Sequence, residues 1–185
     1  ILSDIGVYIY NQAIADAQGS DQSAEPSVQA AINNLKDVMA TAATDTDSAL
    51  TKDIQAAIDA LQTAQTTAAN NQQAARDDAQ DALSKTAPVS HEPAVADAIS
   101  NLQKLLDDPT STTKSIADAT QALRDAVATA QPLRDAANEA ADAAAATVPT
   151  DLAKEPTVQA ALNALDEIQK QAAADQDGNL TKDIE

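Results

Sequence analysis

The chain has 185 residues with 29 acidic against 11 basic side chains, a formal charge of −18, no Cys, Phe or Trp, and Tyr8 and Tyr10 as its aromatic residues. Such an acidic surface repels nucleic-acid phosphates and anionic headgroups while keeping an extended protein soluble. Disulfides and thiolate chemistry are excluded, as is a large aromatic core, and no run approaches the roughly 20 apolar residues of a membrane span.

Leu2, Ile5, Ile9, Ala13 and Ala17 recur at helical spacing, so residues 1–20 are expected to be the end of a preceding helical repeat. Glu25-Pro26-Ser27-Val28 then opens a phrase that the chain writes three times. It returns as Glu92-Pro93-Ala94-Val95 and as Glu155-Pro156-Thr157-Val158, a period of about 65 residues. Each copy is followed by apolar residues at spacings of three and four, namely Ile32 and Leu35, Ile99 and Leu102, and Leu162 and Leu165. Each copy therefore starts an amphipathic helix, with proline in the first turn, where its missing N–H costs nothing.

In the first repeat the stripe Val28, Ile32, Leu35, Val38 or Met39 is interrupted at Asp45-Thr46-Asp47-Ser48. It resumes with Leu50, Ile54, Ile58, Leu61 and Ala68, giving a second helix whose first N–H groups an Asp or Ser can accept. Ala75, Ala79, Ala82 and Leu83 suggest a third helix over about Gln72 to Thr86, stopped by Pro88 and Pro93. The second repeat offers Val95, Ile99 and Leu102, then Ile116, Leu123 and Val127, then Leu133, Ala136, Ala140 and Ala144, with Pro132 marking a helix start. Shifting the sequence by 130 aligns residues 25–54 with 155–184 at 17 of 30 identical positions.

The expected architecture is all-α, with tandem three-helix bundles in an elongated array that behaves as a monomeric rod. The repeats are expected over residues 25–88 and 92–148, with 155–185 the first part of a further, truncated one. Prolines at each repeat start argue against one continuous coiled coil.

Candidate chemistry is sparse. Asp175-Gln176-Asp177-Gly178-Asn179 resembles the opening of a calcium loop, but its glycine is one place early, Leu180 stands at the turn position, and the stretch aligns with the helix connection at Asp45–Ala49. His91 has Ala24 and Lys154 as its counterparts, which reads as a solvated connector residue. Asp77-Asp78 and Asp107-Asp108 are adjacent on helices and point about 100° apart, so they do not converge as an acid and base pair. Asn179-Leu180-Thr181 fits a glycosylation acceptor, a triplet common by chance. No pattern calls for catalysis, a cofactor or a metal. Tyr8 and Tyr10 are the candidate partner contacts, with Met39 and Leu106 behind them, because exposed aromatic and apolar side chains anchor protein interfaces.

The repeated Glu-Pro-x-Val-x-x-Ala-Ile/Leu-x-x-Leu phrase, followed by a helix beginning Leu/Ser-x-x-x-Ile and a third helix carrying Arg76 or Arg134 before Ala, resembles the FIVAR-type repeats of giant Gram-positive cell-surface adhesins of the extracellular matrix-binding kind. This chain is richer in Asp and Ala and poorer in Lys, Asn and Tyr than that pattern. The resemblance implies a non-catalytic stalk or spacer segment outside the cell, held to the wall through other regions. It alternatively implies a helical module recognising a host extracellular-matrix or plasma protein.

Overall fold

A computed structural model describes residues 4–41, 50–90, 92–170 and 184. The described residues are all-helical, without a strand. Their order is α1 (Asp4–Gln18), α2 (Pro26–Thr41), α3 (Leu50–Ser84), α4 (Pro93–Asp107), α5 (Thr113–Ala146) and α6 (Pro156–Lys170), with short 3-10 turns at Ala87–Val89 and Leu152–Lys154.

The Glu-Pro phrases start α2, α4 and α6. In each, the glutamate is the last residue before the helix and its carbonyl accepts the first helical N–H groups: Val28 and Gln29 on Glu25, Val95 and Ala96 on Glu92, Gln159 on Glu155. Proline holds the preceding residue out of the α region, as the extended ψ of 132° at Glu155 illustrates. Each phrase thus fixes where a helix begins.

The long helices differ from the sequence expectation. A third helix at Gln72–Thr86 does not exist as a separate element, because α3 runs unbroken for 35 residues; α5 likewise runs for 34 residues, with Pro132 inside it rather than at its start. Twice, then, a short helix is followed by a long one, α2 by α3 and α4 by α5. Continuity follows from an inward stripe that never loses phase. In α3 it passes through Ile54, Ile58, Leu61, Ala68, Gln72, Ala79 and Ala82, and in α5 through Ile116, Thr120, Leu123, Arg134, Ala137 and Ala141, all buried. The expected stripe at Leu133, Ala136, Ala140 and Ala144 is correspondingly one residue out of phase: Leu133 is 58% exposed and Arg134 only 2%. Pro132 lies on the exposed face, where its lost hydrogen bond is least disruptive to packing.

The chain forms two compact units, each discontinuous in sequence. The first comprises the residues up to Asp77 with Leu105–Ala117, and the second Asp78–Lys104 with those from Asp118 on. The first unit's core draws on three helices: Ala17 of α1, Val28, Ile32 and Leu35 of α2, and Ile54, Ala57, Ile58, Leu61 and Ala68 of α3, with Tyr10, Ile14 and Met39 packed against them. Five of these are Ile or Leu, each contributing roughly 1.5–3 kcal/mol on burial, so a thin aliphatic layer carries this unit. In the second unit Val89, Val95, Leu102 and Leu123 are fully buried, and Ala137, Ala141 and Ile184 form a smaller cluster with Leu165 and Ile168 against it.

Candidate functional site

The polar residues that interrupt the stripes each make several long-range hydrogen bonds. In the first unit Gln72, 4% exposed, donates from its amide to the carbonyls of Ser111 (2.5 Å) and Pro109 (3.3 Å), and its own oxygen accepts from Gln22 at 3.1 Å. One helical turn on, the Arg76 guanidinium donates to the carbonyls of Leu106 (2.6 Å) and Asp108 (2.8 Å). Those carbonyls lie at the end of α4, where cationic donors complement groups the helix itself leaves unpaired. Asp108 in turn accepts from the backbone N–H and hydroxyl of Thr110. These two bonds, the hydroxyl's foremost, hold its pKa below the ordinary carboxylate value.

Glu25 completes this junction. Its carboxylate, in a residue 7% exposed, accepts from the backbone N–H of Thr113 at 2.5 Å and from the Thr113 hydroxyl at 2.7 Å, across 88 residues of sequence. It thereby satisfies a first-turn donor of α5 and complements the positive end of that helix. Thr112 adds an ordinary cap, its hydroxyl accepting from the N–H of Ser115 at 3.2 Å. The Ser111 hydroxyl, by contrast, is buried without a hydrogen-bond partner.

The second unit solves the same problem with charge. Arg134 donates to Glu92 at 2.6 Å and to the Pro88 carbonyl at 3.3 Å; the Arg134 side chain is 2% exposed and that of Glu92 16%. Sixty-two residues separate Gln72 from Arg134, as they do Leu61 from Leu123, so the two occupy equivalent stripe positions. Neither was singled out from the sequence as a stripe residue. The signal that finds them is the uninterrupted spacing of three and four on either side.

Two grooves adjoin α5 in the second unit. One, of 430 Å³, is lined by Ala82, Leu123, Val127 and Pro132 with Lys85 and Arg124. The other, of 520 Å³, includes Pro93, Thr129 and Leu133. The cations of the first are engaged already, Arg124 with Asp78 at 2.6 Å and Lys85 with Asp81 at 2.6 Å. Hydrogen bonding to Arg124 holds the Asp78 carboxyl below its usual range and raises the guanidinium's pKa in return.

The two tyrosines part company. Tyr8 is 67% exposed, flanked by Val7 and Ile9 at 38% and 47%, whereas Tyr10 packs against the first unit's core at the position equivalent to Gln72. Met39 packs on that core as well, and Leu106 is half-buried. His91, the Asp175–Asn179 loop and Asn179-Leu180-Thr181 lie outside the described residues. Among the described residues no three His, Cys, Asp or Glu side chains group as a metal site, and no helix is long and apolar enough to cross a membrane. No protein-family model, curated protein or solved structure matches this chain.

Proposed function

We propose that this chain is a non-catalytic spacer segment of a bacterial cell-surface adhesin, built of tandem helical repeats and working outside the cell, where it holds an adhesive region away from the wall. The observation that carries this reading is the repeat itself: three Glu-Pro phrases start three short helices, α2, α4 and α6, and three of the buried polar side chains hold backbone or an ion-pair partner. Glu25, Gln72 and Arg134 have their hydrogen-bonding groups occupied by helix ends, turn carbonyls or an ion pair, an investment in geometry rather than in a reacting centre. The charge of −18 suits a long exposed segment. The resemblance to FIVAR-type repeats supports the same assignment, with three-helix bundles following one another as an elongated monomeric array.

Small-angle scattering on the chain tests this. A compact globular protein of this length has a radius of gyration of about 16 Å; the spacer reading expects a value well above it, and a value near it would remove the reading.

A second reading, a helical module that recognises an extracellular-matrix or plasma protein, is favoured by the exposed Val7-Tyr8-Ile9 triplet. Aromatic side chains flanked by apolar ones anchor interfaces. Surface-immobilised chain incubated with matrix and plasma proteins should then retain a partner that Tyr8→Ser releases. Retention of nothing at micromolar levels leaves the spacer reading alone.

A further inference from the structure

Asp108-Pro109 is the chain's one Asp-Pro dipeptide; the other prolines follow Glu, Ala, Gln or Val. The bond lies in the turn between α4 and α5, and both residues are exposed. Two features of general chemistry make such a bond weak toward hydrolysis. An aspartate carboxylate reaches its own carbonyl carbon through a five-membered ring, so nucleophile and target are never apart. Proline's nitrogen carries no hydrogen; it is the more basic nitrogen of a tertiary amide and leaves as a secondary amine.

This turn adds a pair of donors on the scissile carbonyl. The Asp108 carbonyl oxygen accepts from the Arg76 guanidinium at 2.8 Å and from the backbone N–H of Ser111 at 3.2 Å. Both donors face the oxygen that becomes an oxyanion when the carbonyl carbon is attacked, and Arg76 brings a positive charge to it. Arg76 is itself fixed by its second bond, to the Leu106 carbonyl at 2.6 Å. The nucleophile is held as well: Thr110 donates its N–H and its hydroxyl to Asp108 Oδ1. Those bonds lower the carboxyl's pKa and keep it ionised into mild acid. The charged groups about the turn are Arg76 from α3, Asp107 at the end of α4 and Asp21 from the connection before α2. All three line a 490 Å³ pocket together with Pro109, which gives water access to the bond.

We infer that the Asp108–Pro109 bond is a self-cleavage site, at which the folded turn supplies nucleophile and oxyanion donors and water is consumed. Oδ2 of Asp108 bonds to the Asp108 carbonyl carbon, and the carbonyl electron pair moves onto the oxygen held by Arg76 and Ser111. As that oxyanion collapses the C–N bond breaks; its electron pair stays on the Pro109 nitrogen, which takes a proton from solvent. The products are a cyclic anhydride on Asp108 and a free Pro109 amine. Water then opens the anhydride to two carboxylates, so the net change is one water added across the bond. The event happens once per chain and acts on no outside substrate, so it stands beside the spacer reading. Both cut ends remain anchored to α3, Leu106 through Arg76 on one side and Pro109 and Ser111 through Gln72 on the other.

The test incubates the full chain at about pH 5.5, where the carboxylate is ionised and protons are at hand, and reads intact mass against time. Fragments 1–108 and 109–185 should accumulate. They should form about tenfold or more faster in buffer than in concentrated urea at the same pH, because only the folded turn aligns the donors. Asp108→Asn should abolish scission, and Arg76→Ala should slow it to the rate in urea. A folded chain that stays intact, or is cut no faster than in urea, overturns the proposal, since the dipeptide's own lability would then suffice. So does an Arg76→Ala chain of native helix content that is cut at the native rate. If that variant loses helix, the comparison of buffer with urea decides alone.

Discussion

Gln72 and Arg134 occupy one position of the repeat and meet its demand by different means. At both, a polar side chain sits in an otherwise aliphatic stripe, nearly inaccessible to water. Gln72 is neutral, and its amide binds carbonyls of the α4–α5 turn while Glu25 is left to cap α5. Arg134 is charged and pairs with Glu92. The difference teaches that a neutral amide and a guanidinium can each reach across to a turn from the same stripe position. It also makes the two sites unequal in risk: a neutral amide that loses its partners strands hydrogen-bonding groups, whereas a buried ion pair that loses one strands a charge.

Core truncation sets the scale for that comparison. Leu35→Ala and Leu102→Ala, one in each unit, should each cost about 2–5 kcal/mol, and denaturant melts should show which unit each loss unfolds. Arg134→Ala should follow at about 3 kcal/mol, since Glu92 is left partly desolvated. Recovery of most of that loss in Arg134→Met with Glu92→Gln would show that the pair specifies geometry more than it stabilises. Pro132→Ala, on the exposed face of α5, should go the other way and stabilise by about 2 kcal/mol, the helix-interior penalty less the entropy proline removes from the unfolded chain. Gln72→Ala should cost about 1–2 kcal/mol by leaving the Pro109 and Ser111 carbonyls short of a donor. If it costs more than Arg134→Ala, charge is not what separates the two sites.

The smallest effect belongs to the exposed pair of Asp78 and Arg124. Its carboxyl pKa is lowered from the ordinary 3.8, chiefly by the hydrogen bond from Arg124, so its contribution is present above that value and lost as pH falls through the lowered one. The gap in melting temperature between the native chain and Asp78→Asn should be open at about pH 6 and close below the folded-state pKa.

The short helices were legible in the sequence because Val, Ile and Leu stand out against alanine: the stripes of Val28, Ile32 and Leu35 and of Val95 and Leu102 lie where the spacing puts them. The long helices were not, for two physical reasons. In their second halves the buried residues are mostly alanine, such as Ala79, Ala82, Ala137 and Ala141, so hydrophobicity barely distinguishes one face from another, and Leu133 pulled the assignment to the wrong side. The residues that carry the phase across the middle, Gln72 and Arg134, are polar and read as surface. The capping of Thr113 by Glu25 joins groups 88 residues apart, which no local pattern encodes. Tyr10 illustrates the same limit, since a lone aromatic near an exposed one looks like a contact residue until its place in the stripe is known.

The unbroken phase of α3 means that the helix tolerates insertion and deletion by arithmetic alone. One residue added between Leu61 and Gln72 would swing everything beyond it by about 100°, carrying Ala79 and Ala82 out of their layer, while four would misalign it by only about 40° and seven by about 20°. The distance from a Glu-Pro phrase to the following stripe obeys no such rule: Glu25 and Glu92 lie 67 residues apart while Leu61 and Leu123 lie 62 apart. Length variation in a chain of this design should therefore be free in its loops and quantised in its long helices.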